Sequence, residues 1–155
     1  MLALRDFTAA DDEALIAWAP TAQALMLFAG ETLVFPLTSP QLQALRDTQD
    51  LYAWTAYVTP DADVPVGHAE VVRTGPDSGR LARIVLDPSR RGAGLGRALV
   101  VAAIERAEGL GLTALDLRVY EGNDPAIRTY LGLGFVDAGP MASDPSVRIF
   151  TRAPR

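Results

Sequence analysis

The segment Arg90-Arg91-Gly-Ala-Gly-Leu-Gly-Arg97 sets glycine at every second position from 92 to 96, among three arginines. Glycine admits positive φ and lets a ligand approach the main chain closely. An apolar helical stretch follows at once, so several amides and the positive end of a helix converge on the turn. That is a phosphate site, worth roughly 0.3–1 kcal/mol per full charge when exposed. Arg90, Arg91 and Arg97 can pair with further phosphate oxygens. Two familiar phosphate loops are excluded. A P-loop needs Gly-Lys-Ser/Thr, and Gly96 is followed by Arg97-Ala98. A dinucleotide fingerprint counted from Gly92 needs glycine at 97, which is Arg, and no acid ends the next strand to bind a ribose. Alone, the turn leaves nucleotides, CoA and an ordinary surface loop open.

Other reactive side chains are few. Tyr130 shares a helical face with Ile127, which equally suits a core aromatic. Val66, His68, Glu70 and Val72 alternate onto one face of a strand. His68 is the single histidine and there is no cysteine, so disulfides and thiolate metal sites are excluded, and a histidine metal cluster is not expected.

The elements that must carry these residues follow from periodicity. Leu2–Phe7 reads as a strand and Thr8 as the cap of a helix over 9–18, rich in acids at its start and ended near Pro20. Residues 21–37 are ambiguous between helix and strand. Thr38 or Ser39 with Pro40 opens a short helix to Arg46. Tyr52–Val58, Val66–Arg73 and Leu81–Leu86 form an antiparallel meander. Gly94–Glu108 is the longest helix, apolar over most of its circumference and so buried against the sheet. Leu115–Val119 alternates strictly, which makes strand, helix, strand a βαβ crossover with a parallel pair. Asp124 caps a helix that begins at Pro125, and Phe135–Asp137 and Val147–Phe150 are terminal strands.

The 155 residues, 49% hydrophobic and 21% charged, are expected to form a single domain, 1–155, with a continuous core. A formal charge of −5 argues against a nucleic-acid partner. No run of about 18 apolar residues crosses a membrane. The first residues lack a basic region followed by an apolar core, so no signal peptide is expected and cytoplasmic residence is the default.

Arg91-Gly-Ala-Gly-Leu-Gly96 matches the Arg/Gln-x-x-Gly-x-Gly/Ala signature of the GNAT superfamily of N-acetyltransferases. Asn123, Ala126, Tyr130 and Gly134-Phe135 match that family's Asn-x-x-Ala-x-x-x-Tyr-x-x-x-Gly-Phe pattern at its usual spacing. The order of elements is also the family's, so nearly all of the chain resembles it, most closely the branch acting on ribosomal-protein alanine. The resemblance implies an α+β, three-layer GNAT-like fold. Its sheet would be mixed and mostly antiparallel, with six to seven strands flanked by about four helices and splayed between Leu81–Leu86 and Leu115–Val119. Acetyl-CoA would enter the splay as cosubstrate, without a metal. Arg91, Gly92, Ala93, Gly94, Leu95, Gly96 and Arg97 would hold its pyrophosphate. Main-chain groups of Ile84, Val85 and Leu86 would pair with pantetheine, and one amide there would polarise the acetyl carbonyl. Asn123 would contact pantetheine or support the splay.

In the same resemblance Tyr130 is the general acid at the departing sulfur. Many relatives carry a glutamate five residues before the motif asparagine; here that position is Arg118, so Glu70 or His68 is the substitute base, directly or through water, with deprotonation by solvent as the remaining route. Phe28–Phe35, Trp54 and the loop after Tyr120 would build the acceptor pocket. Trp18, Trp54 and Tyr57 taken alone read as core. The activity implied is acetyl transfer to a primary amine, a small molecule or a peptide N-terminus, by direct attack in a ternary complex, by a monomer or homodimer. The alternative is a non-catalytic acyl-CoA sensor or interaction module on the same fold.

Overall fold

Period-two alternation produces the meander in full. In the computed structural model, which describes residues 1–154, β1 (Leu2–Asp6), β2 (Leu51–Val58), β3 (Gly67–Arg73) and β4 (Ser78–Leu86) run antiparallel in sequence order. The crossover helix α4 (Leu95–Gly109) returns the chain to β5 (Ala114–Tyr120), parallel to β4. A terminal hairpin, β6 (Val136–Met141) and β7 (Asp144–Arg152), places β7 against β5, so the seven-stranded sheet has the order β1-β2-β3-β4-β5-β7-β6.

Helices cover both faces, which gives the three-layer α+β arrangement. α4 lays Leu99, Val100, Ala103, Ile104 and Ala107 on one face, and α5 (Asp124–Gly132) packs Ala126, Ile127 and Tyr130 against the same core. Each fully buried Leu, Ile or Val side chain there contributes about 1.5–3 kcal/mol. The start of β3 comes so close to α4 that a Cβ at Gly67 would lie 3.1 Å from both Leu99 Cδ2 and the Val85 carbonyl. On the opposite face, α1 (Asp12–Ala17), α2 (Ala22–Ala29) and α3 (Ser39–Arg46) enclose Leu15, Trp18, Leu25, Leu42 and Leu45.

Three expectations shift in detail. The ambiguous stretch after Pro20 is helical: Thr21 Oγ1 accepts the Ala24 amide at 3.1 Å, and Gly30, at φ 57°, ends the helix, so five helices flank the sheet where about four were expected. The helix expected over 9–18 is a 3-10 turn, Ala9–Asp11, followed by α1, and the Asp11 carboxylate accepts the Thr8 amide at 3.0 Å. The cap of α5 is Asn123 rather than Asp124: Asn123 has non-helical dihedrals and its carbonyl accepts the Ile127 amide.

Candidate functional site

A parallel pair that separates leaves backbone groups without strand partners. β4 and β5 are paired only from Ser78–Arg80 to Ala114–Asp116. Beyond Arg80, among the described residues, no strand is paired to the β5 side of β4, although β3 still pairs along its other edge. A bulge adds to this. Between Ala82 and Val85 the register against β3 slips, and Arg83 takes φ 45°, a conformation that side-chain-bearing residues rarely adopt. The strand therefore turns its Ile84–Leu86 segment toward the gap.

That gap is a cleft of about 870 Å³. One wall is Ile84, Val85 and Leu86; the other is Asn123, Ala126 and Tyr130 from the start of α5; Arg91, Gly92 and Gly96 form one end. Gly92 and Gly94 have φ 87° and 78°, and Gly94 is the N-cap of α4, so the expected phosphate turn does depend on left-handed glycines at a helix start. Ala93, Gly94, Leu95 and Arg97 belong to the same turn and first helical turn but are not among the lining residues.

Tyr130 stands in the cleft wall with its ring edge-on to Phe135, centroids 5.9 Å apart. Burial pushes its phenol up to about 12, so the hydroxyl stays protonated throughout the neutral range.

His68 and Glu70 are brought together, away from this wall. Both are buried on β3, 1% and 0% exposed, and neither lines the cleft nor the pocket beside it. His68 Nε2 and Glu70 Oε2 are 2.7 Å apart, and Glu70 Oε1 accepts from Arg83 Nε. His68 Nδ1 has no hydrogen-bond partner among the described residues, and the ring is edge-on to Phe7, centroids 4.7 Å apart. Both carboxylate oxygens of Glu70 are thus engaged inside the protein.

A second pocket, about 670 Å³, opens on the α2 side of the splay. It is walled by Leu27–Thr32, by Arg80, Ala82 and Arg83 of β4, by Arg118 and Tyr120 of β5, and by Ser143 and Asp144 at the β6–β7 turn. Tyr120, Leu27 and Phe28 line both cavities and mark their junction. Of the residues expected to build the acceptor pocket, Phe28–Thr32 line this second pocket. Trp54 is a correction: it is 5% exposed in the core that α4 covers, because its position on β2 points to that face. Leu33–Phe35 also lie outside the lining.

Sequence reasoning did not single out Arg80, Arg83 or Tyr120. The alternation Asp116, Arg118, Tyr120 against Leu115, Leu117, Val119 was a usable signal for the β5 members; nothing in the sequence announces the bulge at Arg83. No group of three or more His, Cys, Asp or Glu side chains able to hold a metal ion occurs among the described residues, and no helix there is long and apolar enough to cross a membrane.

Residues 17–135 match the model of the acetyltransferase (GNAT) family, and the chain belongs to that family. It is 33% identical over 87 residues to a mycothiol acetyltransferase of Nocardioides sp., covering 56% of this chain and 28% of that protein. The chain spans about a quarter of the length of the curated relatives it matches. Its fold is similar to that of AAC(6')-Ib in complex with parmomycin and acetyl-CoA, with TM-score 0.79 and 20% identity over 99% of this chain and 93% of that one. It is also similar to the ribosomal-protein-S18-alanine N-acetyltransferase from Escherichia coli, with TM-score 0.71 and 21% identity over 98% and 93% of the two chains.

Proposed function

We propose that this member of the GNAT family acts as one domain that transfers the acetyl group of acetyl-CoA to a primary amine by direct attack in a ternary complex. The observation that carries the reading is one cleft walled by the unpaired edge of β4, the glycine turn at the start of α4, Asn123 and Tyr130. A pyrophosphate suits the turn, where Arg91 and the left-handed glycines Gly92 and Gly94 precede α4 and Arg97 lies in its first turn. An extended pantetheine arm suits the free backbone of Ile84, Val85 and Leu86, as an added strand would. One amide there, aimed at the acetyl oxygen, supplies an oxyanion contact worth about 3–4 kcal/mol. Asn123, at the cap of α5, supports the opposite wall.

The amine nitrogen attacks the thioester carbon, the new C–N bond forms and the C–S bond breaks. The nitrogen gives up a proton, and CoA leaves as the thiolate, which takes a proton from solvent to become the thiol. Tyr130, with its phenol near 12, is a weaker acid than an ordinary thiol near 8.5, so its service to the departing sulfur is a hydrogen bond held in place through bond cleavage. Glu70 and His68 were the expected bases. With both Glu70 oxygens occupied, they enter this reading as the support behind Arg83, and the amine proton passes to solvent at the pocket mouth.

Tyr130→Phe keeps the ring and its contact with Phe135. It is expected to lower kcat for CoA release about 10²-fold or more while the Kd for acetyl-CoA holds. An unchanged kcat removes the role. Acetyl-CoA binding with no turnover on any amine would favour the sensor module instead.

A further inference from the structure

The pocket on the α2 side carries three arginines on one sheet face, and they are not equivalent. Arg80 is paired with Asp116, its Nε 2.6 Å from Oδ1. Arg83 is held through Nε by the buried Glu70, and neither of its Nη atoms makes a hydrogen bond among the described residues. Arg118 is exposed to the pocket and makes no ion pair or side-chain hydrogen bond among the described residues. The parity of β5 puts Arg118 on the same face as Asp116 and Tyr120, and the parallel pairing of Arg80 with Asp116 puts that face level with Arg80 and the bulge at Arg83. One guanidinium is therefore free outright, and a neighbouring one has its fork clamped at the back and open at the front.

The pocket is polarised the other way near the cleft. Tyr120, at the junction of the two cavities, has its phenol raised by burial and by the negative charges of Asp144 and Glu31, which also line the pocket. Negative charge thus acts on Tyr120, at the end where the acetyl group would arrive, and unengaged guanidinium donors lie on the β4–β5 floor.

We propose that Arg118 and the free Nη groups of Arg83 form a carboxylate-binding site, so that the amine acceptor carries a carboxylate on the same molecule. The carboxylate docks on the two guanidinium groups and the amine is directed toward Tyr120 and the cleft. Amino acids and short peptides have this character; polyamines and other wholly cationic amines lack the group the floor would bind. The inference rests on acetyl transfer as the activity and names the class of its acceptor.

The test measures CoA release from acetyl-CoA by the full chain with matched pairs: alanine and alaninamide, β-alanine and its amide, Ala-Ala and its amide, with spermidine as the cationic control. The carboxylates are expected to exceed their amides in kcat/KM by about tenfold to a hundredfold, mostly through KM, as a charged hydrogen-bonded pair contributes. Arg118→Gln should erase that preference without moving the Kd for acetyl-CoA, and Arg118→Lys should restore part of it. Equal rates within every pair, spermidine as the best acceptor, or a preference that survives Arg118→Gln would overturn the carboxylate site and leave acetyl transfer standing. If no amine is acetylated, the activity reading fails. Calorimetric binding of the same pairs to the CoA-loaded protein then decides the carboxylate site alone: tighter binding of the acids that is lost in Arg118→Gln upholds it, and equal binding overturns it.

Discussion

Single side chains here do their work through a few dense polar contacts. Asp11 is 3% exposed and accepts from Arg5 Nη1 and Nη2 at 2.9 and 2.7 Å, from Thr55 Oγ1 at 2.8 Å and from the Thr8 amide at 3.0 Å. Burial alone would push its carboxyl up, but these donors outweigh it and hold the value below the usual carboxylate range. A lowered folded value means that the stabilisation is present above the unfolded value near 4 and is lost as pH falls through the folded one. Asp11→Asn should therefore cost about 2–4 kcal/mol in urea unfolding at pH 7, since it leaves Arg5 without its charge partner. The gap between variant and parent should narrow below about pH 4; a gap independent of pH would mean that packing, not charge, holds the site. Tyr130 shows the same economy of contacts with the opposite shift, because nothing charged compensates its burial.

At the scale of elements, the start of α4 and the bulge of β4 set the geometry. Gly94 holds φ 78° as N-cap with open space where a Cβ would be, so Gly94→Ala is strained by its backbone alone, by roughly 1–2 kcal/mol. Gly96 lies inside the helix without positive φ and lines the cleft, also with open space around it. Gly94→Ala should lower Tm by about 2–8 °C and weaken acetyl-CoA binding. Gly96→Ala should raise Tm slightly, as alanine favours a helix interior, yet still weaken binding by crowding the cleft. Thermal melts paired with calorimetry separate the two; a common response would contradict the division between backbone strain and ligand approach. The bulge works alongside: Arg83, pinned by Glu70, keeps the turn that aims Ile84–Leu86 at the cleft.

Across the whole molecule, the design is a sheet built in two halves that share one short parallel contact. The meander β1–β4 and the group β5, β7 and β6 are paired as strands only at Ser78–Arg80 and Ala114–Asp116, and share one core with α4 and α5 on one face. A cosubstrate in the gap would complete the hydrogen bonding that the strands leave open. Acetyl-CoA at about a hundred times its Kd should add about 2.7 kcal/mol of stability, whereas ATP and NAD should not. Hydrogen exchange should then show new protection within Leu81–Leu86 and in the 91–96 turn, with little change in β1 and β2. Protection spread evenly over the sheet would argue against binding in the splay.

Local chemistry alone was enough for much of this. Alternation named the meander and β5, the long apolar helix and the spacing from β4 to β5 implied the parallel crossover, and glycines among arginines implied a phosphate turn, because each depends on a period or on a residue's own conformational range. Two motifs in order, the turn and Asn123–Phe135, led to the family and from it to Tyr130. Other features waited on the fold. Whether His68 and Glu70 face a ligand or each other depends on what lies beneath β3, here Phe7 and the bulged Arg83. Trp54 alternates onto the core and not the pocket because the register of β2 decides it. Arg80 and Arg83 find Asp116 and Glu70 across strands, whereas Arg118 makes no ion pair among the described residues. Pairings between residues far apart in the chain carry no local period, so tertiary structure alone determines them.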